Sequence, residues 1–370
     1  MKKSKILIIS DPSSAHTVKW ANGLSDTNFD VFVFGFSENP DLLQYKKNIS
    51  VFNYYVNSKI KSKSDGSLQK LIYLKCVFKL RRIIKEFKPD ILHAHYATSY
   101  GLLAFLSGFK PYILSVWGSD INDFPTRNKL FPYVLKFLLS RAALVCATSY
   151  DLAENTNKYY KKNITIIPFG IDTEIFKPIF KAENVKYIGI VKTLEINYGV
   201  EYLIRAFSLI KKIRKDFDYK LLIVGGGSLL NQLKALTEEL GISSETEFTN
   251  YIEYKQVHKY HQKLTIGIYP SFKESFGVAI AETMACGGAV IASNVGGIKE
   301  IVSHNINGLL VDPMDVNQIA NYILYLIDSP EILQKFIKEG RETIVENYSL
   351  NYAIKKMAET YSLLLQKTGK

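Results

Sequence analysis

The sequence predicts an α/β chain built from two doubly wound parallel-sheet domains. Two observations carry this. Short apolar runs punctuated by Pro, Gly or Ser alternate with helical runs, and a strand that follows a crossover helix belongs to a parallel sheet. The chain also has 370 residues and 47% apolar content, more than one hydrophobic core ordinarily organises and enough for two.

The elements follow in order. MKKSKILIISD has too short an apolar run for a secretory leader, so Lys5–Ile9 reads as a first strand. The loop Ser10–His16, with Ser14 and His16, stands after strand one, where such folds place ligands. Thr17–Leu24 is a helix carrying Trp20, and Phe29–Phe36 and Ile49–Val56 are strands. Asn57–Ser67 is polar and lysine-bearing and reads as a mobile loop. Leu68–Phe87 reads as a basic helix, either a crossover with one face on the sheet or an interfacial membrane helix. The strand Asp90–His95 follows directly and favours the crossover. His93 and His95 are expected on opposite faces of that strand, with His95, at its end, the pocket candidate. The strand Tyr112–Val116 runs into Trp117-Gly118-Ser119-Asp120, and Ala142–Thr148 is another strand.

Pro and Gly punctuation from Asn163 to Pro178 marks a domain boundary. The second half restarts with Lys186–Lys192, a loop to Gly199 and a helix Val200–Arg214. Lys220–Val224 then leads into Gly225-Gly226-Gly227. Helices are expected over Val316–Ile327, Pro330–Glu346 and Leu350–Gln366. Asp216-Phe-Asp218 has the D-x-D form of a metal motif, but two carboxylates are too few oxygen ligands, and it reads as chance.

The most informative stretch is IYPSFKESFGVAIAETMACGGAVIASNVGGIKE, Ile268–Glu300. A buried strand ends at Pro270, a loop Phe272–Ser275 follows, and a helix opens at Phe276-Gly277-Val278 and runs to about Cys286. Gly287-Gly288 stops it before the strand Ala289–Ser293. Amides at the helix start suit a phosphate, and Gly277 allows close backbone approach. Glu274 and Glu282 stand eight apart. An isolated pair at that spacing is usually two solvated glutamates. Beside a phosphate site they suit sugar hydroxyls, since an ionised carboxylate accepts several hydrogen bonds.

With Gly296-Gly297-Ile298-Lys299-Glu300 and Asn307-Gly308-Leu309-Leu310-Val311, this stretch resembles retaining glycosyltransferases of family 4, including their E-x7-E motif at Glu274 and Glu282. The resemblance covers essentially the whole chain. It implies a GT-B fold, with two Rossmann-like domains facing each other across a cleft: an acceptor-side domain over 1–167, a linker over 168–178 and a nucleotide-sugar domain over 179–349. The helix about 350–366 is implied to pack back on the first domain. The implied reaction is metal-independent transfer, with retained configuration and no cofactor, from a UDP- or GDP-linked sugar to an acceptor glycan or lipid-diphosphate-linked sugar in cell-surface polysaccharide synthesis. Lys192 and Glu274 are the implied catalytic residues. Gly225, Phe276, Gly277, Val278 and Glu282 would bind the donor, with Glu282 on the ribose. Ser14, His16, His95, Trp117 and Asp120 are the acceptor-side candidates.

The sequence departs from the family pattern in three places. The glycine-rich loop after strand one is replaced by Asp11-Pro12-Ser13-Ser14-Ala15-His16. Trp117 stands where a histidine is common, and it cannot take a proton. Asn197-Tyr198 stands where a second cation is expected near the leaving diphosphate. A small soluble acceptor, or nucleotide-sugar binding without turnover, are the alternatives.

Charge and cysteines narrow the setting. The net charge is +12, and residues 1–178 hold 25 Lys and Arg against 14 Asp and Glu. Such a basic half suits an anionic membrane surface or a phosphate-bearing acceptor, or else is a generally lysine-rich composition with solvated faces, and no nucleic acid is implied. Three widely spaced cysteines (Cys76, Cys146, Cys286) fit reduced thiols in a cytoplasm, and no run is long enough to span a membrane.

Overall fold

The computed structural model describes residues 3–38, 40–57, 75–179 and 186–369. Most of the expected loop Asn57–Ser67 and the first turns of the basic helix lie outside the described residues. Two compact units divide the chain: residues 1–169 with 350–370, and residues 170–349.

In unit 1 the described elements are β1 (Ser4–Ile9), α1 (Ala15–Ser25), β2 (Phe29–Ser37), β3 (Ser50–Tyr55), α2 (Cys76–Phe87), β4 (Ile91–His95), α3 (Ser99–Ser107), β5 (Tyr112–Val116), α4 (Ser119–Asn122), α5 (Phe131–Arg141), β6 (Leu144–Ala147), α6 (Tyr150–Thr156) and β7 (Ile164–Ile166). The sheet order is β3-β2-β1-β4-β5-β6-β7, and every pairing is parallel. The central strands ILHAH and YILSV are buried at every position, which is why they read as continuous apolar runs rather than alternating ones. One face of the sheet is covered by α2, α3, α5 and α6, through Leu80, Leu103, Leu135 and Leu152. The other is covered by α1 and by the last helix of the chain.

Unit 2 contains β8 (Tyr187–Val191), α7 (Val200–Ile213), β9 (Lys220–Val224), α8 (Leu230–Glu239), β10 (Thr246–Phe248), α9 (Tyr254–His261), β11 (Leu264–Tyr269), α10 (Val278–Ala285), β12 (Ala289–Ser293), α11 (Ile298–Ile301), β13 (Leu309–Val311), α12 (Val316–Asp328) and α13 (Pro330–Asn347). Its parallel sheet runs β10-β9-β8-β11-β12-β13. Asp315 caps α12 by accepting the Gln318 amide at 2.8 Å, and Pro330 opens α13, where its missing N–H costs nothing. The last helix, α14 (Leu350–Thr368), belongs to unit 1 and buries Ala353, Ile354, Met357, Tyr361 and Leu365 there.

Both sheets are doubly wound. Strand order reverses between β1 and β4 in unit 1 and between β8 and β11 in unit 2. In such sheets ligands bind beyond the carboxyl ends of the strands flanking that reversal. Those ends are Ser10 and Tyr96 in unit 1, and Lys192 and Pro270 in unit 2.

Candidate active site

In unit 2, Lys192 leaves the end of β8 and Glu274 lies in the loop after β11, so the sheet topology places both at the strand-order reversal. The Lys192 Nζ donates to Glu274 Oε2 at 2.6 Å, with both side chains largely buried. Burial alone would lower the Lys192 pKa. The Glu274 carboxylate and neighbouring Tyr198 overcome it and raise the pKa above its usual value. Lys192 Nζ sits 4.3 Å from the centre of the Tyr198 ring, a cation–π contact. Tyr198, at the place of the expected second cation, therefore steadies the first cation and adds no charge of its own. Asn197 contributes its carbonyl, which accepts from the Phe272 amide at 2.9 Å and ties the two loops together.

The helix α10 starts next to this pair. Gly277 is its N-cap at φ 107°, a conformation that suits glycine, and no side chain caps the end. Phe276 is buried and packs edge-on against Tyr348. The Glu274 carbonyl accepts from the Gly297 amide at 3.0 Å, which pins the loop from the side of β12. Gly225 takes another part. Its N–H donates to Thr249 Oγ1 at 3.1 Å, and a Cβ there would lie 2.0 Å from the Lys192 carbonyl oxygen. Its lack of a side chain is what lets the β9 loop close over the Lys192 backbone.

Glu282 is only 4% exposed. Tyr254 donates its hydroxyl to Glu282 Oε1 at 3.0 Å. His261 Nε2 lies 3.3 Å from Oε2, off hydrogen-bonding alignment. His261 Nδ1 is 2.7 Å from Thr283 Oγ1, itself 2.6 Å from the Tyr269 hydroxyl. Burial, and then the Glu282 carboxylate, push the Tyr254 pKa well up, so the phenol stays a donor. Tyr254 and His261 were not singled out in the sequence. Their signal is the seven-residue spacing in YKQVHKYH, which puts both on one side of α9.

In unit 1, His16, His95 and Trp117 belong to one aromatic cluster. His16 lies tilted against Phe169 at 4.4 Å and meets Trp117 at 5.9 Å, and Trp117 meets His95 at 4.8 Å. Ser14 is the N-cap residue of α1, just ahead of His16. The expectation that His93 and His95 face opposite ways is wrong. Residues two apart on a strand share a face, and the two rings are 4.6 Å apart. His93 is bonded to Tyr361 at 2.6 Å and Ser115 at 2.7 Å, and His95 to Ser10 at 3.1 Å. Burial lowers the His95 pKa to about 3 and those of His16 and His93 well below the usual value, so all three rings are neutral at pH 7. Asp120 is buried and accepts the amides of Ala97, Trp117 and Gly118 at 2.8, 3.1 and 2.9 Å. It binds the ends of β4 and β5 together. Burial raises its pKa to about 6, against those three amides.

Two family models divide this chain between them. "Glycosyl transferase 4-like" matches residues 5–149, and "Glycosyl transferases group 1" matches residues 171–343, the part that holds Lys192, Glu274 and Glu282. The chain belongs to the group 1 glycosyltransferases. Among the relatives of this glycosyltransferase is the N-acetyl-alpha-D-glucosaminyl L-malate synthase of Bacillus anthracis, 26% identical over 79% of this chain and 81% of that one. An uncharacterized glycosyltransferase of Haemophilus influenzae is 27% identical over 99% of this chain and 100% of its own length. Solved structures of the same GT-B fold include the sucrose-phosphate synthase of Thermosynechococcus elongatus, with TM-score 0.84 and 20% identity over 99% and 100% of the two chains. Anabaena HepE in complex with UDP and glucose has TM-score 0.76 and 20% identity over 97% and 99%. In this glycosyltransferase the D-x-D carboxylates are ion-paired instead: Asp216 with Arg214 at 3.6 Å and Asp218 with Lys186 at 3.2 Å. Among the described residues, no group of three or more His, Cys, Asp or Glu could hold a metal, and no helix is long and apolar enough to cross a membrane.

Proposed function

We propose that the chain transfers a sugar, with retention and without a metal, from a UDP- or GDP-linked donor to a lipid-diphosphate-linked acceptor in cell-surface polysaccharide synthesis. It would work at the inner face of an anionic membrane. The observation that carries the donor reading is the buried Lys192–Glu274 pair at the strand-order reversal, with α10 opening beside it. On donor binding, Lys192 turns to the diphosphate and Glu274 to the sugar hydroxyls. The amides of Phe276–Val278 meet phosphate oxygen, and Glu282 accepts from the ribose. A preorganised cation at a leaving diphosphate is worth most where charge develops. Acceptor oxygen then bonds to the anomeric carbon as the bond to phosphate breaks.

The acceptor's proton needs a base. His95 is buried, neutral and resists protonation, and the Asp120 oxygens are taken by backbone amides. Both are poor bases, so the departing phosphate oxygen takes the proton, with attack from the face it leaves. The basic composition of residues 1–178 favours the lipid-linked acceptor.

The test is a metal-free thermal-shift and hydrolysis screen of UDP- and GDP-sugars, with Glu282→Ala alongside. One donor should stabilise the wild type, be slowly cleaved, and stabilise the variant much less. Equal stabilisation of the variant would refute the ribose role. No stabilisation by any donor would refute the reading.

A further inference from the structure

Unit 1 carries an apolar stripe left exposed among the described residues. On α5, Leu135, Leu138 and Leu139 are buried on the inner side. The outer side shows Tyr133, Val134 and Phe137 at 72%, 41% and 41% exposure, preceded by Leu130 at 68%. Positions 130, 133, 134 and 137 recur at helical spacing and make one stripe. Scattered exposed apolar residues need no explanation, but a contiguous run of this kind marks a contact surface. The Phe137 ring meets Phe105 of α3 at 4.9 Å, and Arg81 of α2 donates to the Leu106 carbonyl at 2.7 Å. The helices α2, α3 and α5 thus form one layer, to whose surface α2 adds Phe78, 76% exposed.

The charge around the stripe is predominantly positive. From Phe124 to Tyr150 the chain holds Arg127, Lys129, Lys136 and Arg141 and no carboxylate, and all four are exposed. On α2, Arg81, Arg82 and Lys85 face solvent, with Glu86 paired to Arg82 at 2.7 Å. A soluble glycan or nucleotide would use these cations and leave the apolar stripe wet. An anionic bilayer satisfies both, because acyl chains take the apolar side chains and headgroup phosphates take the cations.

We propose that the outer face of the α2–α3–α5 layer docks this protein on an anionic phospholipid surface, with α5 lying in the headgroup plane. This deepens the lipid-linked reading given above by naming the surface, but the docking stands on its own observations.

The test is co-sedimentation of the full chain with phosphatidylcholine vesicles, with and without phosphatidylglycerol. Binding is expected only to the anionic vesicles and should weaken with salt. A cation near an anionic surface is worth about fivefold in partition, so Lys129→Gln/Lys136→Gln should bind about 25-fold more weakly. Leu130→Ser/Tyr133→Ser should lose at least tenfold. Both variants should keep their thermal midpoint and donor stabilisation, because the substituted side chains are exposed and lie outside unit 2. Absence of wild-type binding, or equal binding by both variants, overturns the proposal. So does a concentration-dependent self-association that the variants abolish, which would assign the stripe to a second copy of the chain. Donor stabilisation without vesicle binding sinks the docking alone, and vesicle binding without donor stabilisation sinks the transferase reading alone.

Discussion

Glu282 has almost no water, so its capacity to accept hydrogen bonds is set by its neighbours. Tyr254 occupies one oxygen and His261 closes on the other, which fixes the carboxylate plane before any ligand arrives. Losing a hydrogen bond to a charged group costs about 1.5–3 kcal/mol. With Glu282 on the ribose as proposed, Tyr254→Phe should therefore raise the donor KM about tenfold or more with kcat changed less, since such a contact would serve ground-state and transition-state binding alike. A matched fall in kcat would put Tyr254 in the chemical step instead. The buried histidines of unit 1 give a second prediction at this scale. His95 has its pKa lowered from 6.5 to about 3, and His93 is lowered in the same direction. The folded state refuses protons that the unfolded chain takes up, so both histidines contribute stability that is complete above pH 6.5 and is lost as pH falls, for His95 toward 3. Urea midpoints should fall between pH 7 and pH 5, and His95→Gln should flatten that fall. A pH-independent midpoint would contradict the assignment. Glu274 and Glu282 were legible as candidates because their motif is local in the chain, and Lys192, 82 residues from Glu274, only through the family resemblance. Tyr254 and His261 were not, because their meaning comes from a partner more than twenty residues away. Asp120 looked like an acid–base candidate, and only its three amide donors reveal a clamp on two strand ends.

Elements were easiest to read where punctuation is sharp. The strand β5 lies between Pro111 and Trp117-Gly118, β9 ends at Gly225-Gly226, and β12 begins after Gly287-Gly288. β10 and α9 escaped notice. TEF is short and only partly buried, and YKQVHKYH is polar enough to hide its inner side. The two-residue repeat was misapplied in β4, where His93 and His95 share a face. α14 offers the clearest test at this scale. It puts Ala353, Ile354, Met357, Tyr361 and Leu365 into the core of unit 1, and the Tyr361 hydroxyl lies 2.6 Å from His93 Nδ1. Deleting residues 350–370 would expose that apolar face and take the partner from His93 Nδ1, while Nε2 keeps Ser115, a loss of several kcal/mol. Calorimetry of the shortened chain should show the unit 1 transition lost or strongly lowered, with that of unit 2 retained. An unchanged pair of transitions would show that the helix is dispensable.

At the scale of the molecule, two sheets of the same winding place their reactive candidates by the same rule, beyond the strands that flank the reversal. Alternating apolar and helical runs foretold that winding, but no single run could tell where the last helix goes. Its destination depends on a face of the first sheet assembled from α1 and strands far earlier in the chain. That discontinuity bears on how the protein is made. Unit 2 is one uninterrupted run of residues 170–349, whereas unit 1 is finished only by residues from 350 onward. On a ribosome adding about 5–20 residues per second, the intervening 180 residues take roughly 10–40 s. Throughout that interval the nascent first sheet has one apolar flank open. The unit translated second is thus the first able to complete its fold, and a chaperone bound to the nascent chain would find its substrate in the N-terminal half.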